Sequence, residues 1–165
     1  MNRRAGIAAV GAAALLTLTA NPPGVGAAVP TRSVGSALRA TSQAQAPFRG
    51  LTATTVHVGG RALHVVIAKT GPQRNRGLRD RSDLGRYDGM LFVFTATTSV
   101  GFTMSTVPVP LEIAFYRSDG RTVDTLHMVP CAGTDTSCHV YQARGSFRYA
   151  LETLTGRLPA GALSG

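Results

Sequence analysis

The chain has 165 residues, which fits one domain. Its 44% hydrophobic and 15% charged residues exclude a disordered chain, and with no Trp and few aromatics the core must be aliphatic with a handful of Phe. The net charge is +9, and every cation except Lys69 is an arginine. These arginines are scattered and lack the interleaved aromatics of a stacking surface. The charge therefore favours attraction to anionic polymers or membrane surfaces, and no nucleic-acid partner is expected.

The first residues read as a secretory signal. Arg3 and Arg4 form a charged start, and Ala5 to Ala20 is an uncharged Ala/Leu-rich run that ends at Asn21-Pro22-Pro23. Small residues at Val25-Gly26-Ala27 suit signal peptidase, so residues 1–27 are expected to be removed, leaving a net charge of +7. Sixteen apolar residues are short for a retained span, which needs about 20. The sequence does not separate the general secretory route from the twin-arginine route. The expected location is secreted or cell envelope, with no stable membrane span after cleavage. Residues 28–50, rich in Ala, Ser, Thr, Gln and Pro without a sustained period, read as a flexible linker. Residues 51–165 form the single domain.

Within that domain, Leu51–Val58 and Arg61–Ala68 are β-branched-rich strands, and Gly59-Gly60 between them signals a tight hairpin. Thr70 caps a short helix with Pro72 in its first turn, ending near Gly77-Leu78. The segment 79–88 is polar and irregular. The continuous apolar run Met90–Phe94 predicts a strand buried on both faces. Further strands are expected at Val100–Met104, Leu111–Tyr116, Arg121–Val129 and Phe147–Glu152, with Pro159 opening a short terminal helix. Some seven short strands and one or two short helices give a mainly β class, with α+β as the variant, in a small barrel-like domain.

Several stretches together resemble the domain of unknown function 192 family. They are Arg76-Gly77-Leu78 with Arg81, then Asp88-Gly89-Met90-Leu91-Phe92-Val93-Phe94, then Phe102 and Met104 followed by Pro110-Leu111-Glu112-Ile113 with Phe115. Pro130-Cys131, Cys138 and Tyr141 match a cysteine-flanked loop, and Arg148-Tyr149 with Leu151-Glu152 a late strand. The resemblance implies a compact, β-rich, barrel-like domain and brings no activity with it. Between Phe102 and Pro110 the family usually carries an aromatic, Met, Lys, Asn and Thr, whereas Thr103, Met104, Ser105, Thr106 and Val107 stand here. The acidic residue after Pro-Leu is Glu112, where Asp is commoner.

Cys131 and Cys138 are the only cysteines, and an even count in an exported chain favours a disulfide. A metal site using them with His139 and His127 is disfavoured, because six residues separate the cysteines and zinc sites use two to four. No metal and no cofactor are expected. His57 and His64 could face each other across the Gly-Gly turn but read as ordinary strand residues. Arg81 and Glu112 are the expected polar pair, since a guanidinium fork suits a carboxylate or an anionic ligand. Arg81, Met104, Glu112 and Arg148 are the candidate ligand-binding residues, and no catalytic residue can be named. No Gly-x-Ser-x-Gly elbow, phosphate loop, HExxH or EF-hand pattern is present.

The leading expectation is a monomeric, exported, non-catalytic module that binds an anionic envelope polymer, glycan, lipid or small ligand. An envelope hydrolase using Glu112 and Arg81 is the rival, and a structural or partner-binding module is the third reading.

Overall fold

The computed structural model describes residues 32–165; the expected signal segment lies outside the described residues. The elements in chain order are α1 (Val34–Arg39), β1 (Ser42–Gln43), β2 (Thr52–Val58), β3 (Arg61–Ala68), α2 (Gly71–Arg76), β4 (Gly89–Thr98), β5 (Phe102–Thr103), β6 (Leu111–Tyr116), β7 (Thr122–Met128), β8 (Val140–Tyr141), β9 (Phe147–Leu154) and β10 (Leu163–Ser164). The class is mainly β with two short helices, as the sequence pattern implies.

One sheet runs β1-β2-β3-β4-β9-β6-β7, with β10 added beside β2, and β5 pairs separately with β8. All of its ladders are antiparallel except β3 with β4, which α2 connects. The sheet curls without closing into a barrel. Its two ends approach at one corner, where Leu163 N–H donates to Gly120 O (2.8 Å) and Thr122 Oγ1 donates to Gly161 O (2.8 Å).

Local signals behave as expected. Gly59 and Gly60 both have positive φ (55° and 86°), the conformation a two-residue primed turn requires. Thr70 and Gln73 form a reciprocal capping box at the start of α2, and Gly77 ends it.

Two expectations are corrected. The described part of the 28–50 linker is structured: α1 buries Val34 and Ala37, while Ala44 and Phe48 enter the core. Thr54 Oγ1 fastens the end of α1 by donating to Ala37 O and Ala40 O. Only a few residues of this segment are anchored, which is why no period is visible. After Pro159 the chain forms β10 and no helix, because Leu163 and Ser164 find free edge positions opposite Val58 and His57.

Alternation along the strands divides the core in two. One face of the sheet gathers Ala53, Val66, Met90, Phe92, Ile113, Phe115 and Ala150, roofed by Leu78, Leu84, Met104 and Val107. The opposite face gathers Val56, Val65, Leu91, Ala114, Tyr116 and Leu151, covered by α1 and Leu163. We call these the roofed face and the helix face.

Candidate functional site

β9 is a central strand, hydrogen-bonded to β4 on one side and to β6 on the other. Its register puts Glu152 opposite both Met90 and Ile113, so the carboxyl stands in the middle of the roofed face among apolar neighbours. The residue is 5% exposed, and its carboxyl has no hydrogen bond or ion pair with any described residue. Desolvation alone drives its pKa from the ordinary 4.5 to about 8, so it is mostly protonated at neutral pH.

Above Glu152 opens a cleft of about 580 Å³. Phe92, Phe94 and Phe102 supply aromatic surface, and Gly77, which ends α2 with a φ of 48°, also lines the cleft. The rings are fixed by edge contacts: Phe92 with Phe102 at 5.2 Å and Phe94 with Phe147 at 5.5 Å between centroids.

The rim is cationic. The Arg74 guanidinium lies 4.8 Å over the Phe94 ring, and its Nη1 donates to Lys69 O and Val93 O. Arg76 makes an exposed 3.3 Å pair with Asp80, of a kind that contributes little. Arg79 is clamped: it donates to Asn75 O and Ser105 O and pairs with Asp135. Asp135 also accepts from Thr103 Oγ1 at 2.7 Å; the Arg79 guanidinium, then Thr103, hold its carboxyl below the usual range.

Asp135 is positioned by the cysteine loop. Cys131 and Cys138 form a disulfide, which in the chain-entropy account stabilises by roughly 2–3 kcal/mol for so short a loop. The loop is stitched to the roof, since Ser105 Oγ donates to Gly133 O and Thr106 N–H to Cys131 O.

The residues singled out in the sequence lie elsewhere. Glu112 accepts from Gly156 N–H (3.1 Å) and Leu158 N–H (3.4 Å) and pairs with His127 Nε2 at 3.2 Å. Arg81 stacks its guanidinium 4.5 Å over the Phe48 ring, with Nε buried and unpartnered. The expected Arg81–Glu112 pair is therefore corrected: each has a different neighbour, and neither lines the cleft. Met104 is a core residue, 1% exposed. Arg148 is half-buried on β9 and also outside the cleft lining. The register sets His57 opposite Ala62 and His64 opposite Thr55, so the two histidines do not face each other.

The model of the family described as DUF192, an uncharacterized ACR family, matches residues 54–163. The chain belongs to the DUF192 family. Two solved structures resemble it. A protein of unknown function from Novosphingobium aromaticivorans DSM 12444 is 26% identical, covers 77% of this chain and 95% of its own, and superposes with a TM-score of 0.63. A protein from Sinorhizobium meliloti 1021, named as a candidate transcription regulator, is 28% identical with a TM-score of 0.56, covering 66% of this chain and 90% of its own. None of the curated proteins matches.

For this DUF192 domain, Glu152 is a candidate site residue that the sequence marks only as part of the late-strand stretch. Ala150-Leu151-Glu152-Thr153-Leu154 shows one acid in an apolar run but not what covers it. In the fold both faces of β9 are buried, so the carboxyl is set among apolar side chains. The positions that depart from the family pattern also acquire a physical reading. Thr106 has φ 57°, a left-handed conformation in which Asn is far commoner than a β-branched residue. The family's Asn thus suits the backbone here. Ser105, where the family has Lys, is 3% exposed and tied to Gly133.

Proposed function

We propose that this domain is an exported, non-catalytic binding module whose ligand site is the cleft above Glu152. One observation carries the reading: a buried carboxyl with no protein partner borders a cleft within the size range of small-molecule sites, and such a group is poised to meet a ligand polar atom. A compact cleft favours a small molecule, or one residue of a larger polymer, over a long polymer surface. Export is supported by the charged, apolar amino-terminal segment, and the disulfide is compatible with an oxidising compartment. Among the described residues no helix is long and apolar enough to cross a membrane. The hydrolase reading built on Glu112 and Arg81 loses its motivation, because each is occupied elsewhere.

A fragment screen followed by amide-resolved NMR tests the site. Hits are expected to shift Gly77, Phe94 and Thr103 together, and to lose at least about tenfold in affinity in Glu152→Leu, which removes the floor's hydrogen-bonding group. Hits that gather on another face, or bind Glu152→Leu equally well, would sink the proposal.

A further inference from the structure

The chemistry of the cleft restricts what could fill it, and this inference rests on the cleft being the ligand site. Three layers are stacked from floor to rim. The floor is one carboxyl, set between Met90 and Ile113 with no polar protein atom to satisfy it. A protonated carboxyl offers one hydrogen to donate and acceptor capacity beside it. The middle layer is the aromatic surface of Phe92, Phe94 and Phe102. Flat rings pack against such surfaces edge-on or offset, and Phe92 and Phe102 already meet at 90°.

The rim decides the sign of the ligand's charge. Arg79 and Asp135 neutralise each other. Arg74 spends only Nη1 on backbone carbonyls, leaving Nε and Nη2 without a partner among the described residues. Arg76 holds Asp80 through an exposed pair that an incoming anion can displace. The unneutralised charge lining the cleft is therefore positive, and it lies at the mouth. An ammonium group would meet two guanidiniums on entry and a mostly uncharged acid at the floor. A carboxylate or phosphate held at the mouth meets the fork geometry that guanidinium groups match best.

We infer that the cleft takes a small planar ring carrying a hydroxyl or carbonyl oxygen at one end and an anionic group at the other, as in an aromatic hydroxy acid. The ring oxygen meets Glu152, the ring lies among Phe92, Phe94 and Phe102, and the anion reaches Arg74 and Arg76.

Three probes of similar shape separate the layers: para-hydroxybenzoate, benzoate, which lacks the inner hydroxyl, and tyramine, which reverses the outer charge. Each is titrated into the full-length chain and followed at the amides of Gly77, Phe94 and Thr103. Para-hydroxybenzoate is expected to bind at least about tenfold tighter than either other probe. The paired change Arg74→Gln with Arg76→Gln is expected to remove that advantage over tyramine. Glu152→Gln, which keeps a donor and an acceptor, should retain the preference for the hydroxyl, and Glu152→Leu should lose it. Thermal melts of each variant confirm that it is folded. Tyramine binding as tightly as para-hydroxybenzoate overturns the charge assignment, and benzoate binding equally well overturns the role of the floor. If none of the three shifts the cleft amides, the ligand class falls. The fragment screen then decides separately whether the cleft itself binds anything.

Discussion

Glu112 and Glu152 lie on hydrogen-bonded neighbours, β6 and β9, one register position out of step: Glu112 stands opposite Thr153, and Ile113 stands opposite Glu152. That single step turns the two carboxyls to opposite faces of the sheet. On the helix face, Glu112 finds His127 opposite it on β7 and two backbone amides from the turn after β9. On the roofed face, Glu152 finds only apolar side chains and a cleft. The chemistry of a glutamate here is decided by what covers its face. Glu112 is held by protein partners, whereas Glu152 has none among the described residues and borders the cleft.

The largest expected effect sharpens this contrast through pH. Burial raises Glu152 from 4.5 to about 8, so between those values the folded state keeps a proton that the unfolded chain releases. Stability should therefore fall as pH rises through this window, by up to about 1.4 kcal/mol per unit, and level off above it. Glu152→Gln removes the linkage. It should leave stability little changed near pH 4 and raise it by about 3 kcal/mol at pH 7 relative to the unaltered chain. Denaturant unfolding of both proteins across this range checks the point. A constant offset, independent of pH, would mean that Glu152 is not held in an apolar setting. Asp124 works in the other direction at acid pH. Arg144 holds its carboxyl below the usual range, so that contribution is lost only as pH falls through the lowered value.

The same pair of glutamates shows what the sequence could and could not reveal. The Gly59-Gly60 hairpin, the Thr70 capping box and the strand Leu111–Tyr116 are local patterns, and each is written within about ten residues. The position of β9 between β4 and β6 is not local. It joins strands separated by some 30 to 60 residues, and nothing within Phe147–Leu154 says that both of its edges are paired. Without that fact Glu152 looks like an ordinary strand acid, even though it and Glu112 both fall within stretches that resemble the family. The structure before Leu51 is not legible locally for a related reason. Phe48 and Ala37 are held by contacts with distant residues such as Arg81 and Thr54.

An intermediate effect concerns the roof over Glu152. Thr106 is exposed, yet φ 57° sets it in a conformation that costs an L-residue roughly 1–2 kcal/mol, with β-branching adding to the strain. Its carbonyl accepts from Asp80 N–H at 2.8 Å, and Asp80 itself has φ 58°, so the two left-handed residues lock the roof to the segment after α2. Thr106→Asn keeps that bond and relieves the strain. A gain of about 1 kcal/mol in thermal unfolding is expected. A loss would show that the threonine side chain, and not the backbone, is what this position requires.

The smallest effect belongs to Glu112, and it is the control on which the comparison stands. Its ion pair with His127 is with a side chain 66% exposed, so solvent screens much of the interaction. Glu112→Gln keeps an oxygen that can accept from Gly156 and Leu158, and it leaves the sheet register unchanged. The expected loss is below about 1 kcal/mol, and binding of any cleft ligand should be unaffected because Glu112 does not line that cavity. Measuring unfolding and ligand titration on the same variant makes the outcome decisive. If Glu112→Gln weakened binding while Glu152→Leu did not, the helix face, and not the roofed one, would have to carry the site.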